Sequence, residues 1–180
     1  FCFVVHDRRT FYYGRVAWVR LVLCLPRSRD GRPYRKRMEI QRTALVLHPA
    51  MDMFRLVRDV PSYPEFLSWC THSEVHEQTA EQQLATLEVK VSGVRQQFTT
   101  RNRFVPGEQL TMSLVEGPFR RLSGEWQFAQ LGEDGCKITL LLEFDFSSRV
   151  LSSAFRRGFT HVADKLVSDF CQRADAYYGS

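Results

Sequence analysis

The chain has 180 residues, of which 44% are hydrophobic, and this length is enough to bury the core of one domain. Its formal net charge of +5 is unevenly distributed, because residues 1–37 contain 10 of the 25 Lys and Arg side chains but 2 of the 20 Asp and Glu side chains. Residues 38–180 therefore hold 15 basic and 18 acidic side chains, so the positive charge of the whole chain does not indicate a nucleic-acid partner.

Residues 1–37 are predicted to lie outside the folded domain. The first methionine is Met38, and Arg20 interrupts the apolar run Val16–Leu25, which is too short and too charged for a membrane span. A secretory signal would need an unbroken apolar stretch and a small-residue cleavage site. The excess of basic residues leaves a mitochondrial transit peptide as the alternative. We expect a disordered or non-native extension over residues 1–37 and one domain over residues 38–180.

The domain is predicted to begin with a strand and two helices. The strand is Glu39–Leu47. Apolar residues at helical spacing then predict a helix over Pro49–Val60, with proline at its first position and Pro61 at its end. A second, short helix is predicted over Tyr63–Trp69, with Pro64 near its start.

From His72 onward the hydrophobic period is two, which predicts successive strands. The clearest alternation covers residues 136–146, where six even positions are apolar and the opposite face carries Lys137, Thr139, Glu143 and Asp145. Glycine-containing turns separate the strands and predict an antiparallel meander. The predicted inward-facing residues of the earlier strands are Leu87, Val89, Val91, Val94, Phe98, Phe104, Leu110, Met112, Leu114, Leu122, Trp126 and Phe128.

The last predicted element is one long helix over Arg149–Tyr177. At ~1.5 Å per residue its apolar stripe is roughly 40 Å long, and only the concave face of a curled sheet can cover it. The order of elements therefore predicts an α+β fold in which a curved antiparallel sheet wraps around the C-terminal helix. The stripe consists of Leu151, Phe155, Phe159, Val162, Leu166, Phe170, Ala174 and Tyr177.

The five cysteines are scattered along the chain. They form no C-x-x-C motif, and an odd number cannot all pair, which fits a reducing compartment. They are Cys2, Cys24, Cys70, Cys136 and Cys171.

Three phrases, in this order, resemble one known family. They are Leu56–Leu67 (LVRDVPSYPEFL), Phe98–Asn102 (FTTRN) and Leu114–Phe128 (LVEGPFRRLSGEWQF). Together they resemble the coenzyme-Q-binding START family, whose bacterial members include ribosome-association toxins of the RatA type and polyketide-cyclase-like proteins. The resemblance covers Met38 to about Tyr178. It implies the helix-grip, START-like form of the predicted fold.

Large apolar side chains face the space between sheet and helix, and this pattern alone favours a packed core. The resemblance implies instead a non-catalytic lipid-binding module that holds ubiquinone or a similar prenyl lipid, requires no cofactor and supports respiratory electron transport. The inward polar side chains could bond quinone carbonyls, one another, backbone or water. The residues expected to bind the ligand are Phe66, Trp69, Gln96, Phe98, Thr100, Asn102, Met112, Leu114, Phe119, Trp126, Leu142, Phe144, Phe155, Phe159 and Val162.

The family's ribosome-associated members imply an alternative function, a toxin of a toxin–antitoxin system that binds the 50S ribosomal subunit and blocks 70S formation. The predicted rRNA contacts are then Arg95, Arg101 and Arg103, on the outward face of their strand, and Arg120 and Arg121, just past the Gly-Pro turn. Solvated surface is the other interpretation of these arginines. The net-acidic body also weakens non-specific attraction to RNA.

The sequence contains no Gly-x-Ser-x-Gly elbow, His-Glu-x-x-His motif or P-loop. A polyketide cyclase-like enzyme that orients its substrate by proximity is the second alternative. His72 and His76 lie about 13 Å apart on a strand, at ~3.3 Å per residue, which is too far for one metal ion. No metal site is predicted, and an edge strand exposed to solvent is expected here.

The expected partners are a polyprenyl quinone, the 50S subunit under the alternative function and a transient membrane surface, but not DNA. The expected location is the bacterial cytoplasm, with peripheral contact to the inner membrane. A transit peptide would instead place the protein in the mitochondrial matrix.

Overall fold

The structure is a computed structural model that describes residues 11–13, 16–19, 38–147 and 153–179. A 3₁₀ turn at Val60–Ser62 joins the first two helices. The helices are α1 (Ala50–Arg58), α2 (Tyr63–Phe66) and α3 (Ser153–Tyr178). The strands are β1 (Phe11–Tyr13), β2 (Val16–Val19), β3 (Met38–Val46), β4 (Cys70–Gln78), β5 (Gln82–Val91), β6 (Val94–Val105), β7 (Gln109–Glu116), β8 (Phe119–Leu131) and β9 (Gly135–Phe146).

All nine strands form one antiparallel sheet in the order β1-β2-β3-β9-β8-β7-β6-β5-β4. Strands β4 to β9 are a meander in which each strand pairs with the next one along the chain, and β3 pairs with β9 in a register that runs from Met38↔Phe144 to Val46↔Cys136. The predicted fold, a curved antiparallel sheet with a long C-terminal helix, is confirmed. The predicted edge strand that carries His72 and His76 is also confirmed, because β4 ends the sheet.

The two short N-terminal strands extend the sheet beyond β3. Strand β2 pairs with β3 over three residues, from Ala17↔Leu45 to Val19↔Thr43, and β1 pairs with β2. These strands lie within the segment that was expected to be disordered or non-native, and the rest of residues 1–37 lies outside the described residues. The domain boundary at Met38 stays a prediction.

The inner face of the sheet carries the core. In β9 every even position from 136 to 146 is buried and every odd position is more exposed, as the alternation predicted. Phe159 of α3 lies at the centre of this core. Its ring contacts the rings of Phe98, Phe119, Phe144 and Phe146 with centroid distances of 5.0–6.4 Å.

The buried side of α3 agrees with the predicted stripe in its middle and differs at its ends. Arg149 to residue 152, including Leu151, lie outside the described residues. Val162 and Leu166 are half-buried. The prediction that Tyr177 faces inward is wrong, because this residue is 65% exposed. The buried side of this end of the helix is formed by Cys171 and Ala174, of which Ala174 was predicted. The buried residues of α3 are Phe155, Phe159, Ala163, Val167, Phe170, Cys171 and Ala174.

The first two helices end earlier than predicted. Helix α1 ends at Arg58 instead of Val60, although the predicted inward residues Met53, Phe54, Val57 and Val60 are all buried. Helix α2 ends at Phe66 instead of continuing to residue 69, because Leu67 adopts an extended backbone and the carbonyl of residue 69 accepts a hydrogen bond from Lys90 N at 2.8 Å. At residue 69 the backbone is therefore already hydrogen-bonded to strand β5 of the sheet.

Candidate functional sites: an apolar cavity and an outer arginine face

A cavity of about 80 Å³ lies between the inner face of the sheet, helix α3 and the end of α1. Its walls are almost entirely apolar, and no Asp, Glu, Lys, Arg or His is among the described residues that line it. The lining residues are Val57, Val60, Tyr63, Trp69, Ala85, Leu87, Phe98, Thr100, Asn102, Leu110, Met112, Leu122, Trp126, Leu142, Phe159, Val162, Ala163, Leu166 and Phe170.

Nine of the fifteen residues predicted to bind a ligand come together around this cavity. Their role in binding stays a prediction, but the structure places their side chains on one continuous surface. They come from the inner faces of four strands, from α3 and from the segment before β4. They are Trp69, Phe98, Thr100, Asn102, Met112, Trp126, Leu142, Phe159 and Val162.

The other six predicted residues do not line the cavity. Phe119, Phe144 and Phe155 are buried and fill the aromatic core around one end of α3. Phe66 packs edge-on against Tyr63 and Phe170. Leu114 and Gln96 are half-buried; Leu114 packs against the core, and Gln96 lines a separate open groove beside the turn at Gly117 and Pro118. The inward direction of the core phenylalanines was predicted correctly. The period-two pattern could not separate them from cavity residues, because residues that fill the core and residues that line the cavity point to the same side of a strand.

The sequence analysis missed ten lining residues. Val57 and Val60 were identified as the buried side of the first helix, and Leu87, Leu110 and Leu122 as inward strand residues, but none was assigned to the site. For these the periodicity was a sufficient signal of direction. Leu166 and Phe170 were likewise identified, as part of the apolar stripe of the long helix, and Tyr63, Ala85 and Ala163 complete the missed set.

One end of the cavity is polar. Asn102 is 6% exposed, and its Nδ2 donates to Gln83 Oε1 at 3.3 Å. Gln83 is 1% exposed, and its Nε2 donates to the backbone carbonyl of Arg58 at 3.4 Å and to Gln78 Oε1 at 3.1 Å. Among the described residues no donor bonds Asn102 Oδ1.

Burial affects two titratable groups here: Tyr63, which lines the cavity, and Asp169, which interacts with the lining residue Trp69. The Tyr63 hydroxyl donates to the Val57 carbonyl oxygen at 2.6 Å, and burial raises its pKa strongly, so it stays neutral. Burial also raises the pKa of Asp169, a shift opposed by the Trp69 indole and by Lys165. The arrangement can hold an uncharged ligand, and it presents no ionised acid or base to that ligand.

The size of the cavity limits what fits without rearrangement. A volume of about 80 Å³ is well below the ~300–1,000 Å³ of ligand pockets for drug-sized molecules. The lining residues that are half-buried mark the side nearest to solvent, where displacement would enlarge the cavity. They are Trp69, Leu87, Met112, Val162 and Leu166.

The predicted arginine contacts lie on the outer face of the sheet. In β6, Arg101 and Arg103 alternate with the buried Asn102 and Phe104, as the period of two predicted. Their cross-strand neighbours are uncharged: Leu84 and Ser113 flank Arg101, and Gln82 and Thr111 flank Arg103.

The remaining three arginines have acidic neighbours or lie at a bulge. Arg95 forms an ion pair with Glu88 at 2.8 Å, and hydrogen bonds from Thr71 and from Arg95 lower the pKa of Glu88. A register shift between β8 and β9 places both Arg120 and Arg121 on the exposed face between two buried residues. Arg121 lies opposite Asp145 of β9.

Two histidines of the described residues make local contacts. His76 Nε2 lies 2.6 Å from the Thr86 hydroxyl, and buried His48 lies 2.8 Å from an Asp175 carboxylate oxygen. His161 is exposed on α3. Over residues 38–147 and 153–179, His, Cys, Asp and Glu side chains form no group of three that could hold a metal ion.

None of the helices within residues 38–147 and 153–179 is both long enough and apolar enough to cross a bilayer.

The antiparallel sheet, the long helix that it encloses and the apolar cavity between them define a protein of the helix-grip class. Residues 46–171 match the family described as "Polyketide cyclase / dehydrase and lipid transport". This match covers more than half of the chain, and the chain belongs to this family. The family resemblance predicted from the three sequence phrases is confirmed.

Individual proteins agree with this assignment. The chain is 47% identical over 140 residues to "Ribosome association toxin RatA" of Pseudomonas aeruginosa, an alignment that covers 78% of this chain and 97% of the relative. It is 26% identical over 148 residues to the mitochondrial "Coenzyme Q-binding protein COQ10 homolog B" of Xenopus laevis, covering 80% of this chain and 61% of that protein. The crystal structure of the Zhui aromatase/cyclase from Streptomyces sp. R1128 has a TM-score of 0.69 at 18% identity, covering 78% of this chain and 94% of that one, which shows a shared fold.

Proposed function

We propose that this protein associates with the large ribosomal subunit and acts as a toxin of the ribosome-association type in the bacterial cytoplasm. The observation that carries the proposal is the 47% identity, over 97% of the relative's length, to a protein named as such a toxin. Ribosome association thus comes before quinone binding, whereas the sequence phrases alone led us to expect quinone binding as the main function.

The outer face of β6 offers a contact surface for rRNA. Arg101 and Arg103 project from one face of one strand, so their Cα atoms are roughly 7 Å apart at ~3.3 Å per residue. Arginine binds phosphate oxygens through two parallel N–H groups. No acidic side chain lies directly across from either residue on the neighbouring strands; Arg103 also lines an open groove with residues 79–82, which include the acidic Glu81. These two arginines are therefore the strongest candidates among the five.

The test replaces Arg101 and Arg103 together with glutamine. The double variant should sediment less with purified 50S subunits. The slope of log affinity against log salt concentration should fall by about two if each arginine contacts one phosphate. Both side chains lie on the outer face, so the unfolding temperature should not change.

A matched control replaces Arg55 with glutamine. Arg55 is an exposed arginine of α1 that pairs with Asp52 at 3.1 Å, away from the outer face. Its variant should sediment with 50S subunits as the unchanged protein does. Equal sedimentation and salt dependence of the double variant, the control and the unchanged protein would refute the contact surface. Failure of the unchanged protein to bind ribosomes would refute the proposed function.

The cavity supports a second candidate function, the binding of ubiquinone or a similar prenyl lipid, with transient contact to the inner membrane. Its almost entirely apolar walls suit a prenyl chain. Its volume of about 80 Å³ requires displacement of half-buried wall residues such as Met112 or Leu166 before a quinone ring can enter. A small apolar cavity of this kind supports lipid binding less directly than the sequence identity supports ribosome association.

Filling the cavity tests this candidate. Ala85 is 1% exposed and lines the cavity, so Ala85→Leu should occupy part of its volume. Mass spectrometry of the organic extract should find a prenyl lipid with the unchanged protein and much less with Ala85→Leu. The control Ala129→Leu, at an exposed position of β8, should retain the lipid. An extract of the unchanged protein that contains no lipid would exclude the candidate.

A polyketide cyclase-like activity is the weakest of the three candidates. The fold is shared with an aromatase/cyclase. The cavity could orient a reactive chain by proximity, but the described lining residues offer no ionised group for proton transfer.

A further inference from the structure

The buried carboxamide of Asn102 has an acceptor that the described protein does not satisfy. The side chain lines the cavity and is 6% exposed, and its Oδ1 has no hydrogen-bond partner among the described residues. Buried polar atoms are nearly always paired, because an unpaired one has lost its bonds to water. The unsatisfied oxygen therefore indicates a partner that the protein itself does not supply.

The hydrogen-bond network determines which atom of Asn102 is left over. The Arg58 backbone carbonyl can only accept, so the atom of Gln83 that faces it must be the Nε2 donor. Gln83 then turns Oε1 toward Asn102, and this oxygen can only accept. Asn102 must meet it with Nδ2, which leaves Oδ1 as the atom turned away from Gln83.

Two neighbouring features define the chemistry that this end of the cavity would recognise. Thr100, 5% exposed, lies two residues from Asn102 on the same face of β6 and contributes a hydroxyl that can donate or accept. The remaining described walls are apolar apart from the Tyr63 hydroxyl, which already donates to the Val57 carbonyl, and the indole N–H of half-buried Trp69, which interacts with the Asp169 carboxylate. A ligand that fits is apolar over most of its surface and carries its donor at the buried end.

We propose that the cavity selects ligands whose buried end carries an O–H or N–H donor, such as a phenol, a hydroquinone or an alcohol, over ligands that can only accept. This inference rests on the second candidate function, ligand binding in the cavity, and does not depend on ribosome association. It differs from the expectation that the inward polar side chains bond quinone carbonyls. The reduced form of a prenyl quinone has the required donors, and the oxidised form lacks them.

Phenol and cyclohexanone are suitable probes, because each is a six-membered ring with one oxygen and the same number of non-hydrogen atoms, both can accept a hydrogen bond, and only phenol donates. Titration calorimetry of the unchanged protein should give phenol an affinity at least roughly tenfold higher than that of cyclohexanone, the factor expected from one additional hydrogen bond in a buried site. The preference should disappear or reverse in Asn102→Leu, which keeps the approximate volume of the side chain and removes the acceptor.

Gln97→Leu is the control, because Gln97 is an exposed residue on the opposite face of the same strand. It should keep the preference for phenol. The comparison of the two probes on the unchanged protein needs no variant, so it remains decisive if Asn102→Leu does not fold.

The outcomes separate this inference from the function on which it rests. Equal or tighter binding of cyclohexanone by the unchanged protein would overturn the donor requirement while ligand binding in the cavity stands. Binding of neither probe would overturn both. A preference for phenol that persists unchanged in Asn102→Leu would show that Asn102 is not the acceptor and would also overturn the inference.

Discussion

The two faces of the sheet contrast most clearly within a single strand. On the inner face of β6, Phe98, Thr100 and Asn102 are buried against α3 and the cavity, whereas on the outer face Arg101 is half-buried and Arg103 is exposed. The inner face must match the shape of a helix and of other strands, because protein interiors are close-packed. Among the described residues, no helix packs across the outer face in the same way. The inner face therefore carries stability and the cavity, and the outer face is available for contacts with another molecule.

The charged residues of strands β8 and β9 lie on the outer face and show the same contrast. The outer face of β9 carries Glu143 and Asp145, and that of β8 carries Arg120 and Arg121. A surface with mixed charges of this kind contributes little to stability, because exposed ion pairs are worth roughly 0–1 kcal/mol. Substitutions on the two faces should accordingly differ in their effect on folding.

The largest effect is expected for Phe159→Asp. This residue is 5% exposed and lies among five other phenylalanine rings, so the variant would bury an unpaired charge. We expect a loss of more than about 4 kcal/mol or complete unfolding, measured by chemical denaturation with circular dichroism. His161→Asp, on the exposed side of the same helix, should cost less than about 1 kcal/mol. Similar losses for the two variants would show that the assignment of the buried side is wrong.

A smaller effect is expected for Trp126→Ala. This residue is 2% exposed on the inner face of β8, and its removal should cost ~3–5 kcal/mol through lost burial and a new cavity. Gln127→Ala changes the next residue, which points outward, and should alter the free energy of unfolding by about 0.5 kcal/mol or less. A destabilised Gln127→Ala protein would contradict the contrast between the faces.

Deletion of residues 1–37 should change the unfolding temperature by no more than a few degrees, about the shift that 1 kcal/mol produces. Strand β2 pairs with β3 over three residues, whereas β3 pairs with β9 over nine. The core described above lies within residues 38–179. Differential scanning calorimetry of both chains would test this, and a much larger drop would place the domain boundary before Met38.

The last prediction concerns the chemical reactivity of the buried cysteine thiols and not the stability of the fold. Burial raises the pKa of Cys70 to about 11, of Cys136 to about 11 and of Cys171 to about 12. A raised thiol pKa means that the reactive thiolate is scarce below that pH, so iodoacetamide at pH 8 should leave these three residues unmodified in the folded protein. Peptide mass spectrometry would measure this, with guanidinium-unfolded protein as the labelled control. Rapid labelling in the folded state would show that the inner face opens to solvent.

The contrast between the faces was predictable from the amino-acid sequence, because it follows from a local property. In a strand, successive side chains point to opposite sides, so the alternation in residues 136–146 and the placement of Arg101 beside Asn102 required no knowledge of the tertiary structure. The buried middle of α3 follows in the same way from helical spacing. Together with the three family phrases, these patterns determined the fold and the direction of nearly every proposed site residue.

The tertiary structure alone decided which inward residues surround a cavity and which fill space. Phe144 and Trp126 have the same alternation, yet Phe144 packs into the aromatic core and Trp126 lines the cavity. That difference depends on where α3 lies across the curved sheet, which involves residues far apart in the chain. The unpaired oxygen of Asn102 likewise arises from Gln83 on the next strand and from the carbonyl at the end of α1. Hydrophobic periodicity shows which way side chains point within one helix or strand. A cavity and its hydrogen bonds depend instead on how several helices and strands pack against one another.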